Sequence, residues 1–254
     1  MDAKKERSNC REIIERYYSC FLGADENLFS HYSTGPVALY TPVRNASLQG
    51  YGQRCDLLAF ATDKTTIISY GDAIREQIPR LMTLLATNGV SLSGAIDKSF
   101  NKKPRHSFRY YFSGEAPETN RARLLEPSDY PAFEAFFKSN NPDAKDISWL
   151  HDYFDGMVSE KMCGGVFADG RLVSCTDSPT VPFMSGIIKE IGVNTLDGHR
   201  DRGFARDACS CVIREILKQG KTPIWSADAQ NVPSQKLAES LGFVLWGESF
   251  FMSL

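Results

Sequence analysis

The stretch Ile187–Leu217, IIKEIGVNTLDGHRDRGFARDACSCVIREIL, constrains the fold more than any other part of the chain. It reads as a strand, a glycine-bearing loop and a long amphipathic helix. Ala205, Ala208, Val212, Ile213 and Ile216 are spaced to form one apolar helix face. His199, Arg200 and Arg202 crowd the loop just ahead of Gly203, where the helix is expected to begin. A helix start offers backbone N–H groups with no intrahelical acceptor and a partial positive charge, which together suit a phosphate. Gly203 lets the backbone approach such a group with no Cβ in the way. The same pattern also describes a plain helix end beside exposed arginines, so its surroundings must decide.

Those surroundings repeat an alternation of strands and helices. After the segment 113–120, SGEAPETN, which has the composition of a linker, we expect a strand over 121–126 and a helix over 130–138. A second helical stretch follows over 146–155. A hairpin over 161–176 turns at Asp169-Gly170, a two-residue signal whose residues tolerate positive φ. The strand 187–193 opens the central segment. Beyond its helix come the strand 223–227, the helix 234–241 stopped by Gly242, and strand material from Phe243 onward. The strand–helix–strand crossover is expected to be right-handed.

Ahead of the linker, 11–22 has helical spacing, and 37–41, 57–62, 66–70 and 106–112 read as strands. A helix is expected over 73–87, kinked at Pro79 unless it begins there. The stretch 89–104 is polar and turn-rich. The chain thus divides into an N-terminal α/β domain over 1–115, of unassigned role, and a second domain over 119–254.

The length of 254 residues fits one large or two small domains. A net charge of −2 argues against general nucleic-acid binding. The N-terminus has no apolar run of the secretory type, and no stretch is long and apolar enough to cross a membrane. Seven scattered cysteines form no CxxC pair or Cys/His cluster. They read as ordinary thiols of a reducing, cytoplasmic environment, with no metal expected.

The loop Arg200-Asp201-Arg202-Gly203-Phe204-Ala205 resembles the Gln/Arg-x-x-Gly-x-Gly/Ala pattern of the GNAT acyltransferase superfamily. The strand before it, the helix and strand after it, Asn231 and the ending Leu237-Ala238-Glu239-Ser240-Leu241-Gly242-Phe243 stand in that superfamily's order. The resemblance covers roughly 119–254. Within it, the run from Thr222 to Phe243 is similar to a bacterial group with an extra N-terminal domain. It implies an α/β (α+β) mixed sheet with a GNAT-like fold in the C-terminal half.

The implied activity is N-acetyl transfer from acetyl-CoA to an amine acceptor, by direct attack through a tetrahedral intermediate. The alternative is a catalytically silent acyl-CoA-binding or sensing module. By resemblance, Arg200, Asp201, Arg202, Gly203, Phe204 and Ala205 hold the pyrophosphate. Val193, Asn194 and Thr195 hold the pantetheine arm beside a strand widened at Gly192, and Asn231 bonds the arm. The Val193 N–H is the implied donor to the thioester carbonyl. Glu190 stands where many members keep a general base, and alternation puts it on one strand face with Gly192, which would aim it at the cleft. Glu190 also reads as an ordinary paired carboxylate, and Asn231 as a helix cap. His199 and Asp228 are weaker candidates, for a phosphate and for the acceptor respectively.

The chain departs from the family in two places. Ala238 occupies the position of a tyrosine that protonates the departing thiolate. Little chain follows Phe243 for the usual final hairpin, so one strand is either missing or supplied by the N-terminal half. The acceptor pocket is expected to be shaped by that half and by loops such as 177–184. A monomer and a homodimer are equally compatible with the sequence.

Overall fold

The computed structural model describes residues 3–32, 34–47, 54–179 and 181–254. In chain order the first half gives α1 (Ala3–Leu22), α2 (Leu28–His31), β1 (Pro36–Tyr40), β2 (Leu57–Thr62) and β3 (Thr66–Tyr70). Then come α3 (Ile78–Leu85), α4 (Leu92–Phe100) and β4 (Arg105–Phe112). The second half gives β5 (Ala122–Leu124), α5 (Tyr130–Asn140), α6 (Leu150–Ser159), β6 (Gly164–Ala168) and β7 (Arg171–Asp177). It ends with β8 (Ile188–Glu190), β9 (Gly192–Thr195), α7 (Phe204–Lys218), β10 (Thr222–Asp228), α8 (Val232–Leu241) and β11 (Phe243–Met252).

Two sheets organise these elements. The larger runs β1-β3-β2-β11-β4-β10-β8, and is parallel at its two ends and antiparallel between. The smaller is an antiparallel sheet in the order β5-β6-β7-β9. Strand alternation explains the layers. On the larger sheet, Leu58, Phe60, Tyr111, Ile188 and Ile224 meet Tyr17, Tyr18 and Phe21 of α1. The opposite face packs on α3 and α4 through Leu57, Ala59, Ile68 and Phe250. It packs on α7 and α8 through Tyr110, Phe112, Trp225 and Phe243. The α7 stripe of Val212, Ile213 and Ile216 is fully buried. At roughly 1.5–3 kcal/mol for each large aliphatic side chain removed from water, it anchors the helix firmly.

The two segments expected as domains, 1–115 and 119–254, meet within the larger sheet. β4 lies between β10 and β11, and β2 pairs with β11 on its far side. The N-terminal half therefore supplies a strand to the C-terminal half, one of the two alternatives left open by the short C-terminus.

Locally, three expectations change. The helix expected over 73–87 is a 3-10 turn over Asp72–Gln77 followed by α3, with Pro79 in the first α-turn, where its missing N–H costs nothing. The polar stretch 89–104 contains α4, capped by the Ser91 hydroxyl and ended by Asn101 at φ +51°. The single strand 187–193 is two strands with different partners. Among the described residues, no helix is long and apolar enough to cross a membrane, and no group of three or more His, Cys, Asp or Glu is placed to hold a metal ion.

Candidate active site

The change of partner creates the site. β8 pairs in parallel with β10 as far as Glu190↔Ile224, and the Ile191 N–H still donates to the Ile224 carbonyl at 3.2 Å. From Gly192 the chain leaves β10 and runs antiparallel to β7, with Gly192↔Asp177 and Thr195↔Ser174. β9 and β10 diverge, and a cleft of about 840 Å³ opens between them. The Leu196 N–H donates to the Val173 carbonyl at 2.9 Å, which fixes the ladder phase. Asn194 therefore faces β7 with its main-chain groups, while Val193 and Thr195 turn their N–H and C=O groups outward, toward the cleft.

Gly192 is needed for a local reason. A Cβ there would overlap the Asp177 carboxylate, at 1.9 Å from Oδ1. The glycine is thus a close approach between two strands, as a strand glycine often is.

The far end of the cleft is the N-terminus of α7. Asp201 and Gly203 both adopt positive φ, +60° and +80°. The Asp207 N–H, bonded to the Gly203 carbonyl at 3.1 Å, makes the first bond of the helix. The N–H groups of Phe204, Ala205 and Arg206 precede it, and helix geometry gives them no intrahelical acceptor.

This loop is braced from behind by residues with no local sequence signal. Arg121 donates to the Arg202 carbonyl at 3.3 Å, pairs with the buried Asp207 at 2.5 Å and lies 5.3 Å over the Phe204 ring. Thr119 donates to the other Asp207 oxygen at 3.0 Å. Both residues come from the end of the stretch read as a linker and the start of the strand after it.

Of the residues implied for the coenzyme, Val193, Asn194, Thr195, Arg200, Asp201, Gly203, Phe204, Ala205 and Asn231 line the cleft. Arg202 does not; its carbonyl is tied to Arg121. Arg200 is exposed and paired with Asp197 at 2.8 Å. Asn231 caps α8, accepting the Ser234 N–H at 3.2 Å, and borders the cleft from that position. His199 also lines it, with Nδ1 buried and without a hydrogen-bond partner. Asp228 lies outside the lining and accepts the Gln230 N–H at 2.8 Å within a turn. Sequence reasoning missed Arg206 and Lys236, exposed cations that line the cleft, and Trp225 and Ser226 on its β10 wall. Arg206 sits in the first turn of α7 and Lys236 at the start of the second turn of α8, so helix phase was the available signal.

Glu190 sits at the point where the strands part. It faces away from the open cleft, toward a small gap among Tyr18, Phe21 and Arg109, and accepts a short hydrogen bond from the Ser226 hydroxyl. Ser226 also borders the cleft, and its hydroxyl is turned to Glu190. Ser178 donates to the Glu190 carbonyl at 3.1 Å. Burial, with Glu190 adding to it, holds the Asp177 carboxyl above the usual carboxylate range. Ala238 is wholly buried among Tyr110, Leu241 and Phe243, so no hydroxyl projects from that position.

A family model described as GNAT acetyltransferase matches residues 153–248. Similar solved structures include a GNAT-family acetyltransferase from Colwellia psychrerythraea, at 20% identity and TM-score 0.49, covering 59% of this chain and 56% of that one. A GCN5-related N-acetyltransferase from Sphaerobacter thermophilus is 14% identical at TM-score 0.47, covering 59% and 51%. The Salmonella typhimurium protein yncA, solved with its cofactor acetyl-CoA, is 17% identical at TM-score 0.43, covering 54% and 94%. The match thus spans a little over half the length of the first two. No curated protein matches the chain.

Proposed function

We propose that residues 153–248, which a GNAT acetyltransferase family model matches, carry the transfer of an acetyl group from acetyl-CoA to an amine by direct attack. The observation that carries this reading is the opening between β9 and β10 in front of the α7 N-terminus. The residues present fit the coenzyme. Free N–H groups at 204–206, flanked by positive-φ Asp201 and Gly203, suit a pyrophosphate. Arg200, Arg206 and Lys236 add charge-assisted bonds at the rim. The outward main-chain groups of Val193 and Thr195 suit an amide-bearing arm laid down as an added strand.

Bound acetyl-CoA supplies the activated thioester. The Val193 N–H donates to its carbonyl, where negative charge develops. An amine of reference pKa near 10.4 arrives as its ammonium form and must lose a proton to attack. Ser226 accepts that proton as its own passes to Glu190. The nitrogen–carbon bond forms, the carbon–sulfur bond breaks, and the second amine proton leaves with the thiol. A thiol of reference pKa near 8.5 is a tolerable leaving group, so Ala238 is compatible with turnover.

The test is release of free CoA thiol with a panel of amines, alongside calorimetric binding of acetyl-CoA. We expect binding, amine-dependent release, and loss of release in Glu190→Gln with binding retained. Tight binding with no release for any amine would refute transfer, and absence of binding would refute the coenzyme site.

A further inference from the structure

We propose that the cavity between α5, α6 and β7 is the acceptor pocket, and that it takes a small primary amine with an aromatic or bulky apolar body. This rests on the coenzyme reading above and adds a substrate class to it. The cavity measures about 400 Å³, the size of a small-molecule pocket.

Its walls are aromatic. Phe133, Phe136 and Phe137 sit at i, i+3 and i+4 on α5, and so share one helix face. Trp149 and Tyr153 rise from the start of α6. Trp149 meets Phe137 edge-on at 5.6 Å and Tyr153 at 5.7 Å, yet its side remains 48% exposed at the mouth. A large indole held open over phenyl rings is a surface for another flat or apolar group.

The floor carries the charge. Cys175 and Asp177 of β7 and Asn194 of β9 close the bottom. None of the lining residues is Lys, Arg or His, and Asp177 is the one carboxylate among them. Its Oδ1 is buried and has no hydrogen-bond partner. That oxygen is closed in against the bare Cα of Gly192, while Asp177 as a whole is partly exposed and lines the cavity with its charge. An ammonium group suits that charge, while the aromatic walls receive the body. A ligand carboxylate would find no cation here and would be repelled by Asp177. That excludes α-amino acids as a class.

The floor also abuts the coenzyme cleft. Asn194 lines both cavities, and Gly192, which lines the cleft, presents only a bare Cα to the Asp177 carboxylate. The two cavities therefore meet at Asn194, where an amine held beside Asp177 would pass to the thioester and Ser226 in the cleft.

The experiment uses the full chain and three probes of one shape: 2-phenylethylamine, 2-phenylethanol and phenylalanine. Binding is followed by calorimetry and by indole fluorescence, with acetyl-CoA affinity measured in parallel. We expect the amine to bind at least tenfold tighter than the alcohol and the amino acid. Asp177→Asn should erase that preference, and Trp149→Ala, at an exposed position, should weaken the amine severalfold. Both variants should bind acetyl-CoA as the wild type does. Equal binding of amine and alcohol overturns the proposal, and so does no amine binding, or a hexapeptide with a free N-terminus competing better than phenylethylamine. If acetyl-CoA still binds in those cases, the pocket assignment fails while the coenzyme reading stands. The alcohol comparison needs no variant, so misfolding of Asp177→Asn cannot rescue the idea.

Discussion

Replacing Asp177 with asparagine should make the ligand-free protein more stable. Asp177 is only partly exposed, its Oδ1 is buried and lacks a partner, and Glu190 lies near enough to repel it. Tyr153, Cys175 and Cys209 are the other titratable groups close to it, and each has its ordinary ionisation pushed up by burial or by neighbouring groups, Asp177 included. Among the described residues, none that lines the cavity with it is a cation. Asparagine keeps the shape and the polar atoms and removes only the charge with its desolvation and its repulsion by Glu190, so a gain of about 1–2 kcal/mol is expected.

For a chain of this size each kcal/mol moves the midpoint by roughly 2–4 °C, which gives a rise of roughly 2–8 °C near neutral pH. The pH dependence has a definite sign. Below the ordinary value of 3.8 the acid is protonated in both folded and unfolded chains, and substitution changes little through charge. As pH rises from there through the raised folded value, the unfolded chain ionises first, so the folded wild type loses stability. The variant has no such loss, so its advantage grows across that window and then levels off. Thermal unfolding by circular dichroism near pH 4 and near pH 7.5 tests this. A variant that shows no higher midpoint than the wild type near pH 7.5, or an advantage equal at both pH values, would refute the reasoning.

Gly203→Asp should abolish acetyl-CoA binding by calorimetry while the circular-dichroism spectrum is retained. Its backbone strain at φ +80° costs about 1–2 kcal/mol, and its Cβ meets only the movable tip of Arg121, at 3.0 Å. Glu190→Gln should lower kcat by roughly 10²-fold or more, and Ser226→Ala should lower it in the same direction; full activity in the serine variant would exclude the hydroxyl path. Arg121→Ala should destabilise the chain by about 1–2 kcal/mol, since Asp207 loses its partner but Arg121 is half exposed, and should weaken acetyl-CoA binding through the unbraced loop. A chain of residues 119–254 alone should fail to give a cooperative thermal transition, because β10 and β11 would both lack β4.

Elements were legible where a local pattern decides them. The hairpin turn at Asp169-Gly170 has positive φ at both residues, and 57–62 and 66–70 are strands at their expected bounds. The helix α4 was not read from LSGAIDKSF because serine, glycine and aspartate lower its propensity. Yet Leu92, Ala95, Ile96 and Phe100 keep helical spacing, and Ser91 is a sound cap. What helps there is tertiary: that face packs on β2 and β3. The pairing of β4 with β10 and β11 was open for a related reason. Strand character is written locally, but a partner more than a hundred residues away is not.

The two ends of the site differ in the same way, and for a physical reason. A phosphate site at a helix start is made of backbone N–H groups, so a few consecutive residues announce it: one glycine at positive φ and a helix phase. A pocket for an organic amine is made of side chains, and here they come from α5, α6, β7 and β9, more than sixty residues apart in sequence from Phe133 to Asn194. Nothing in any one of those segments distinguishes a core phenylalanine from a wall. Ile191 and Gly192 join the two ends. By leaving β10 at Ile191, the chain opens the cleft; by lacking a Cβ, Gly192 brings Asp177 against its edge. The feature read from sequence as one strand is thus what lets a backbone-built coenzyme site and a side-chain-built pocket meet at Asn194.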